Sequence, residues 1–226
     1  MINPASSARP RRRDQRLFVW ARRAVVGFVL FMVVGNMAIL LPSLLLQQIA
    51  GPPAPAAAAS VRDVRHLAAV DTKVWRGAAP TSLDGYRSLA AAGVTTVVDL
   101  RAEPDLPVDD AMVRSFGLRI VSLPIRDGQT PTRAQTDEFL RIVAASRGTV
   151  FVHCGAGVGR TGSVSAAYLV ATGQASGVRA TLRNLSVGPP SLEQIAFTTR
   201  ARRANVLVVA ASRTLDAPRR IWTGLR

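Results

Sequence analysis

The 226-residue chain contains one cysteine, Cys154, and one of its only two histidines, His153, stands directly before it. Both lie in "VFVHCGAGVGRTGSVSAAYLV", Val150–Val170, where four glycines fall within the eight positions Gly155–Gly162. An apolar run ends at Cys154, a helical pattern begins near Arg160, and the turn "GAGVG" joins them. A strand–glycine loop–helix unit aims several backbone N–H groups at one point, and the helix dipole adds positive potential there. The backbone of Gly155, Ala156, Gly157, Val158 and Gly159 therefore reads as a cradle for a tetrahedral oxyanion: phosphate, sulfate or arsenate. Such a field favours thiolate over thiol at its base, where Cys154 sits, and the thiolate is the nucleophile. Arg160 closes the loop, and its planar fork can grip two oxygens of the anion at once. Thr161 can donate its hydroxyl to the sulfur and ease its departure. His153 is expected to order the loop from behind through hydrogen bonds rather than to act as a base. The bland alternative is an inert core thiol at a strand end. At this chain's composition, His-Cys followed at the right spacing by Arg-Thr arises by chance with a frequency on the order of 10⁻⁴.

A lone cysteine excludes an intramolecular disulfide and any cysteine-rich metal site. With only His66 and His153 as imidazole ligands, a zinc or iron centre is not expected either, so the chemistry reads as free of metal and cofactor. The net charge of +15 belongs to the ends. Residues 1–23 hold seven Arg against Asp14, and residues 200–226 hold seven Arg against Asp216. The stretch between carries 15 basic and 12 acidic residues, with few aromatics near the arginine clusters, so a nucleic-acid surface is not indicated.

No charge appears from Ala24 to Val61, and residues 24–46 are apolar and long enough for a membrane helix of roughly 20 residues. The arginine excess before the segment, against Arg62 and Arg65 soon after it, leaves the N-terminus inside and the rest of the chain outside. In a bacterium that means a single pass through the inner membrane with the remainder periplasmic or extracellular. A cleaved signal peptide, with Ala57-Ala58-Ala59 as the cleavage site, would instead export a soluble form, and Arg22-Arg23 permits a twin-arginine signal. The organisation expected is a basic cytoplasmic segment 1–23, the membrane segment 24–46, a Pro/Ala-rich linker 47–60, a globular domain 61–203 and a basic tail 204–226.

Within the globular part, "KVWRGA" reads as a short edge strand. Strands follow at 94–100, 118–125 and 149–154, with helices at 82–93, 108–117, 133–146, 160–172, 176–185 and 191–203. Alternation of this kind predicts an α/β fold with a central, largely parallel sheet flanked by helices.

"HCGAGVGRTG" resembles the signature loop of the cysteine-dependent protein tyrosine phosphatases, especially the small dual-specificity group. It matches at His153, Cys154, Gly157, Arg160, Thr161 and Gly162. "VWRGAAPT", "GVTTVVDLR", "LPIRDG" and "GPPSLEQ" are similar to that family's further landmarks, so the resemblance covers about residues 70–200. With the export segment, the chain is most similar to bacterial periplasmic dual-specificity or tyrosine phosphatases. The resemblance implies in-line attack by Cys154 on phosphorus, a phosphocysteine, and an Asp that protonates the leaving oxygen and then activates water. Ligands gather at the carboxyl ends of parallel strands, which leaves Asp127, in "RDGQTP", and Asp99. The family's acid lies in the loop of Asp127; Asp99 with Arg101 reads as a loop-anchoring pair.

The implied substrate is a phosphoprotein bearing phosphotyrosine, with phosphoserine and phosphothreonine as further substrates of a shallow site. Phosphoinositide phosphatases of the superfamily carry lysines in the loop where this chain has Gly155 and Val158, which ranks a phospholipid or inositol phosphate lower. A non-catalytic phosphate-binding module is a further alternative, although it would not need Cys154, Arg160 and Asp127 together. Gln194 is read either as a positioner of the second-step water or as a packing or solvent-exposed residue.

Overall fold

Along "TVFVHC" the side chains alternate between two apolar environments, as the two-residue period of a strand requires. Val150, Val152 and Cys154 join a core cluster with Val98, Phe139, Ile142 and Leu169. Phe151 joins a second cluster with Trp75, Leu89, Val97 and Val113. A strand buried on both faces must lie inside a sheet with helices on either side. The structure, a computed structural model, describes residues 12–51, 53–103 and 110–201. Its strands are β1 (Ala68–Ala69), β2 (Val74–Ala78), β3 (Val94–Arg101), β4 (Arg119–Ile125) and β5 (Thr149–Cys154). Its helices are α1 (Arg12–Ile49), α2 (Leu83–Ala91), α3 (Asp110–Ser115), α4 (Arg133–Ala145), α5 (Gly159–Ala171), α6 (Gly177–Leu185) and α7 (Leu192–Arg200), with one 3₁₀ turn at Ala58–Ser60.

The strand order is β1-β2-β5-β3-β4. β2, β5, β3 and β4 run parallel, and β1 alone pairs antiparallel, on β2. The expected largely parallel α/β sheet is therefore present. "KVWRGA" is not an edge strand, however. β2 is buried along its whole length and lies between β1 and β5. Two alanines set the register of β1 (Ala68 opposite Arg76, Ala69 opposite Trp75), too short a run to show a strand period in the sequence.

Local signals place the helices. Ser82, Thr132, Ser176 and Ser191 accept a backbone N–H at the starts of α2, α4, α6 and α7. Thr132 with Gln135 and Ser191 with Gln194 form full capping boxes. Gly93, at φ +93°, turns the chain from α2 into β3, a conformation that favours glycine. The stretch 47–60 is more ordered than its Pro/Ala composition implies. α1 runs to Ile49, Ala57 packs against the second core cluster, and Ala69 donates its N–H to the Pro53 carbonyl at 2.8 Å. The basic segment before residue 12, the start of the helix expected at 108–117, and the tail 204–226 lie outside the described residues.

The chain divides into two units, residues 1–41 and 42–226. Leu17–Ile49 of α1 spans 33 residues with a mean hydropathy of 2.5 and a side-chain surface that is apolar and exposed. At 1.5 Å per residue it is about 50 Å long, more than the roughly 30 Å of a bilayer's hydrocarbon core. By length and composition α1 is a candidate membrane span, a test that a signal sequence also passes.

Phe151 is fully buried at the centre of the sheet. Phe151→Ala should lower the unfolding free energy by about 3–5 kcal/mol, read from urea denaturation of the detergent-solubilised chain. A loss below about 1 kcal/mol would mean the two-sided packing of β5 is wrong.

Candidate active site

Because β2, β5, β3 and β4 are parallel, their carboxyl ends share one edge of the sheet, where an open α/β sheet binds its ligand. β5 delivers Cys154 to that edge, β3 leads into Glu103, and β4 leads into Asp127. Each group arrives on a different segment, and the sheet fixes their spacing.

Cys154 is 3% exposed, and its sulfur accepts the N–H of Gly157 at 3.3 Å. Gly157 adopts φ +77°, and a Cβ there would strike the Gly77–Ala78 backbone, so the loop presses on the end of β2. Gly162 leaves the room that Asn184 of α6 occupies. α5 begins at Gly159, and no side chain caps its first N–H groups, unlike α2, α4, α6 and α7. Uncapped amides at a helix start, with the dipole behind them, suit an anion. Gly155 and Ala156 are exposed at the rim, Gly157 is buried, and Val158 and Gly159 are half-buried.

Arg160 is held from three directions. Its Nη1 donates to the Ile125 carbonyl at 3.0 Å and to Glu103 Oε2 at 2.6 Å, and its Nη2 lies 3.2 Å from Asp127 Oδ1. Its Nε is buried without a protein hydrogen-bond partner, so Nε–H and the second Nη2 proton remain for an oxyanion. Glu103 also accepts the Asp127 N–H at 2.9 Å. The hydrogen bond from Arg160, with backbone donors behind it, holds the Glu103 carboxyl down to about 2. Sequence reasoning missed Glu103. The usable signal was its position two residues past β3, at the same sheet edge as Cys154.

Asp127 is at the mouth, with 81% of its side chain exposed. Its loop is tied to α7, where Ser191 Oγ donates to the Gly128 carbonyl and Gln194 Nε2 to the Gln129 carbonyl, both at 3.1 Å. Gln194 is 2% exposed and accepts the Ser191 N–H. It is a buried tie between α7 and the Asp127 loop, which removes the solvent-exposed reading.

His153 points to the opposite face of β5 from Cys154 and stacks on Phe151, with ring centroids 5.7 Å apart. Its Nδ1 lies 3.3 Å from the Cys154 carbonyl oxygen and 3.7 Å from Asp99 Oδ1. Burial drives its pKa down to about 4, so the ring is neutral at pH 7. Asp99 is engaged by Arg101, whose Nε and Nη2 donate to its two oxygens at 2.7–3.1 Å. Burial alone would raise the Asp99 carboxyl, but these bonds bring it below the ordinary range. Asp99 is thus committed to Arg101 rather than free at the site. Thr161 lies in the first turn of α5, and its hydroxyl is fully buried with no hydrogen-bond partner among the described residues.

A strand-borne cysteine, a glycine loop opening a helix, an arginine folded back over the loop and an aspartate at the mouth define a cysteine-dependent phosphatase fold. Residues 56–200 match the family described as DSP-PTPase phosphatase fused to NAD+ kinase, and the chain belongs to that family. Over 77 residues it is 48% identical to the dual specificity protein phosphatase CDC14AB of Danio rerio, covering 34% of this chain and 12% of that protein. The chain thus spans about an eighth of that relative's length. Among solved structures it is similar to P. aeruginosa TpbA in complex with phosphotyrosine, with a TM-score of 0.53, 23% identity, and 65% of this chain and 90% of that one covered. It is also similar to the core catalytic domain of the PP-IP phosphatase SIW14 of S. cerevisiae, with a TM-score of 0.57, 14% identity, and coverage of 69% and 96%. These structures share the fold.

Two predictions follow from the site's electrostatics. Glu103→Gln removes the charge that aligns Arg160, and kcat/KM for p-nitrophenyl phosphate should fall about tenfold. An unchanged value would mean Arg160 needs no such partner. For His153, the folded pKa lies below the ordinary 6.5, so the unfolded chain takes up the extra proton first. Stability is flat above pH 6.5 and declines as pH falls toward 4, by about 3 kcal/mol at full extent. Urea midpoints from pH 7.5 to 4.5 check the sign, and a rise in stability on acidification would contradict it.

Proposed function

We propose that the protein is a phosphatase that hydrolyses phosphomonoesters, phosphotyrosine first and phosphoserine or phosphothreonine beside it, through a phosphocysteine. The observation that carries this reading is Arg160, folded back over the Cys154 loop between Glu103 and Asp127. The Cys154 thiolate attacks phosphorus in line, and the sulfur–phosphorus bond forms as the phosphorus–oxygen ester bond breaks. Arg160, through its fork, and the N–H groups from Gly155 to Arg160 hold the non-bridging oxygens. The leaving oxygen takes the Asp127 proton. In the second step the Asp127 carboxylate takes a proton from water, whose oxygen attacks phosphorus. The sulfur–phosphorus bond breaks, releasing inorganic phosphate and the thiolate. Gln194, tied to the acid loop and packed on Gly159, keeps that loop in reach of the cradle. His153 acts as a neutral support behind the loop.

The exposed Asp127 and the open rim at Gly155 and Ala156 support a shallow site that accepts a phosphorylated side chain on a protein. An inositol phosphate or a phospholipid headgroup is the competing substrate class, and Gly155 and Val158 offer no cationic side chain to pair with its additional phosphates. The exposed apolar surface of Leu17–Ile49 and the seven arginines before residue 24 support a single-pass anchor in a bacterial inner membrane with the phosphatase domain in the periplasm.

With p-nitrophenyl phosphate and the full chain in detergent, Cys154→Ser should abolish turnover. Asp127→Asn should reduce kcat by about 10²–10³ at neutral pH. Turnover by Cys154→Ser equal to wild type would overturn the mechanism. A phosphotyrosine peptide should be hydrolysed faster than an inositol polyphosphate, and the reverse order would exchange the substrate classes. An alkaline phosphatase reporter fused at the C-terminus should be active, whereas an inactive one would reverse the topology.

A further inference from the structure

Two side chains outside the catalytic set grip the cysteine loop from its outer side. Arg76, on β2, is fully enclosed and 5% exposed. Its Nη2 donates to the Gly157 carbonyl at 2.7 Å, to the Asn184 Oδ1 at 3.0 Å and, more weakly, to the Val158 carbonyl at 3.3 Å. His66, on the segment before β1, places its Nδ1 2.8 Å from the Ala156 carbonyl oxygen. A carbonyl can only accept, so Nδ1 carries the proton. Three consecutive carbonyls, of Ala156, Gly157 and Val158, are thereby engaged by two residues, the last of them shared with the Gly162 N–H of α5 at 2.9 Å.

We propose that His66 and Arg76 are positioning residues that preset the phosphate cradle by holding these three carbonyls from outside. The physical reason lies in the peptide plane. The peptide is planar and trans, so a carbonyl and the N–H of the following residue point in opposite directions. Holding the Ala156, Gly157 and Val158 carbonyls turns the N–H groups of Gly157, Val158 and Gly159 the other way. The first of the three is seen where this requires it, on the sulfur of Cys154 at 3.3 Å. A glycine-rich loop is otherwise free to adopt many conformations, and fixing it costs about 1–2 kcal/mol per residue. Anchors that meet this cost during folding leave less of it to be met when the substrate binds.

Further observations support the assignment. His66 has φ +54°, a left-handed backbone uncommon for a non-glycine residue though less so for histidine, and its ring meets the loop across a separation of 90 residues. Arg76 is buried without a carboxylate among its hydrogen-bond partners, an expensive choice for a guanidinium. Burial draws its pKa down to about 10, so it stays cationic at neutral pH. Asn184, which accepts from Arg76, also occupies the space left by Gly162, so the anchor continues into α5 and α6.

The proposal rests on the phosphatase reading for its chemistry, but its test reads oxyanion binding apart from turnover. Vanadate is the probe, with the full chain in detergent, and thermal melts without vanadate report folding. Arg76→Met should weaken vanadate binding about thirtyfold and lower kcat/KM by a similar factor. Arg76→Lys, which restores a cation without the planar fork, should recover only part of each. His66→Ala, at an exposed position, should weaken vanadate about fivefold, and His66→Asn, which keeps a donor and tolerates the left-handed backbone, should return to within about twofold of wild type. If Arg76→Met does not fold, the His66 pair decides. A folded variant, Arg76→Met or His66→Ala, that binds vanadate as wild type does overturns the proposal. So does His66→Asn behaving like His66→Ala. A wild-type chain that binds vanadate but hydrolyses no phosphomonoester would defeat the phosphatase reading while leaving the anchors standing.

Discussion

The buried guanidinium of Arg160 is the constraint from which the rest of the site follows. A cation that is nearly enclosed must be paired and hydrogen-bonded, and removing one partner leaves charge uncompensated. Here the partners come from two segments far from Arg160 in the chain. The Ile125 carbonyl ends β4, Glu103 follows β3, and Asp127 follows β4. Satisfying one side chain therefore draws the two loops and the start of α5 to a single point. The parallel sheet makes this feasible, because only parallel strands bring these ends to one edge.

Around that point the loops are tied from behind and below. α7 grips the Asp127 loop through Ser191 and Gln194, β2 carries Arg76 against the cysteine loop, and His66 meets its rim. Glu103 has a double duty, accepting from Arg160 and from the Asp127 N–H, so Arg160 and the Asp127 loop are held by one carboxylate. His153 supplies packing and a neutral ring on the far face of β5. Each contact reduces the rearrangement needed when an anion arrives, which is the form that electrostatic preorganisation takes.

Much of the fold was legible because its signals are local. β-branched runs marked β3, β4 and β5, serine and threonine caps marked the helices, and glycines marked the loop. The position of β2 was misjudged because its neighbour β1 is two alanines long, and strand order is a property of pairing rather than of pattern. At the site, Cys154, Arg160 and Asp127 could be named because a short motif and sheet logic place them together. Arg76 and His66 could not, because their contacts reach across 81 and 90 positions. Glu103, 57 positions from Arg160, offered only its place just past β3.

In the proposed reaction Cys154 carries the phosphoryl group between substrate and water. Rapid acid quench of the full chain during hydrolysis of p-nitrophenyl phosphate, followed by peptide mass analysis, tests it most directly. The account predicts one phosphoryl group on the Cys154 peptide, lost on mild reaction with iodine and absent from Cys154→Ser. Turnover with no phosphoryl group on that peptide, or with phosphate on His153 instead, would contradict it.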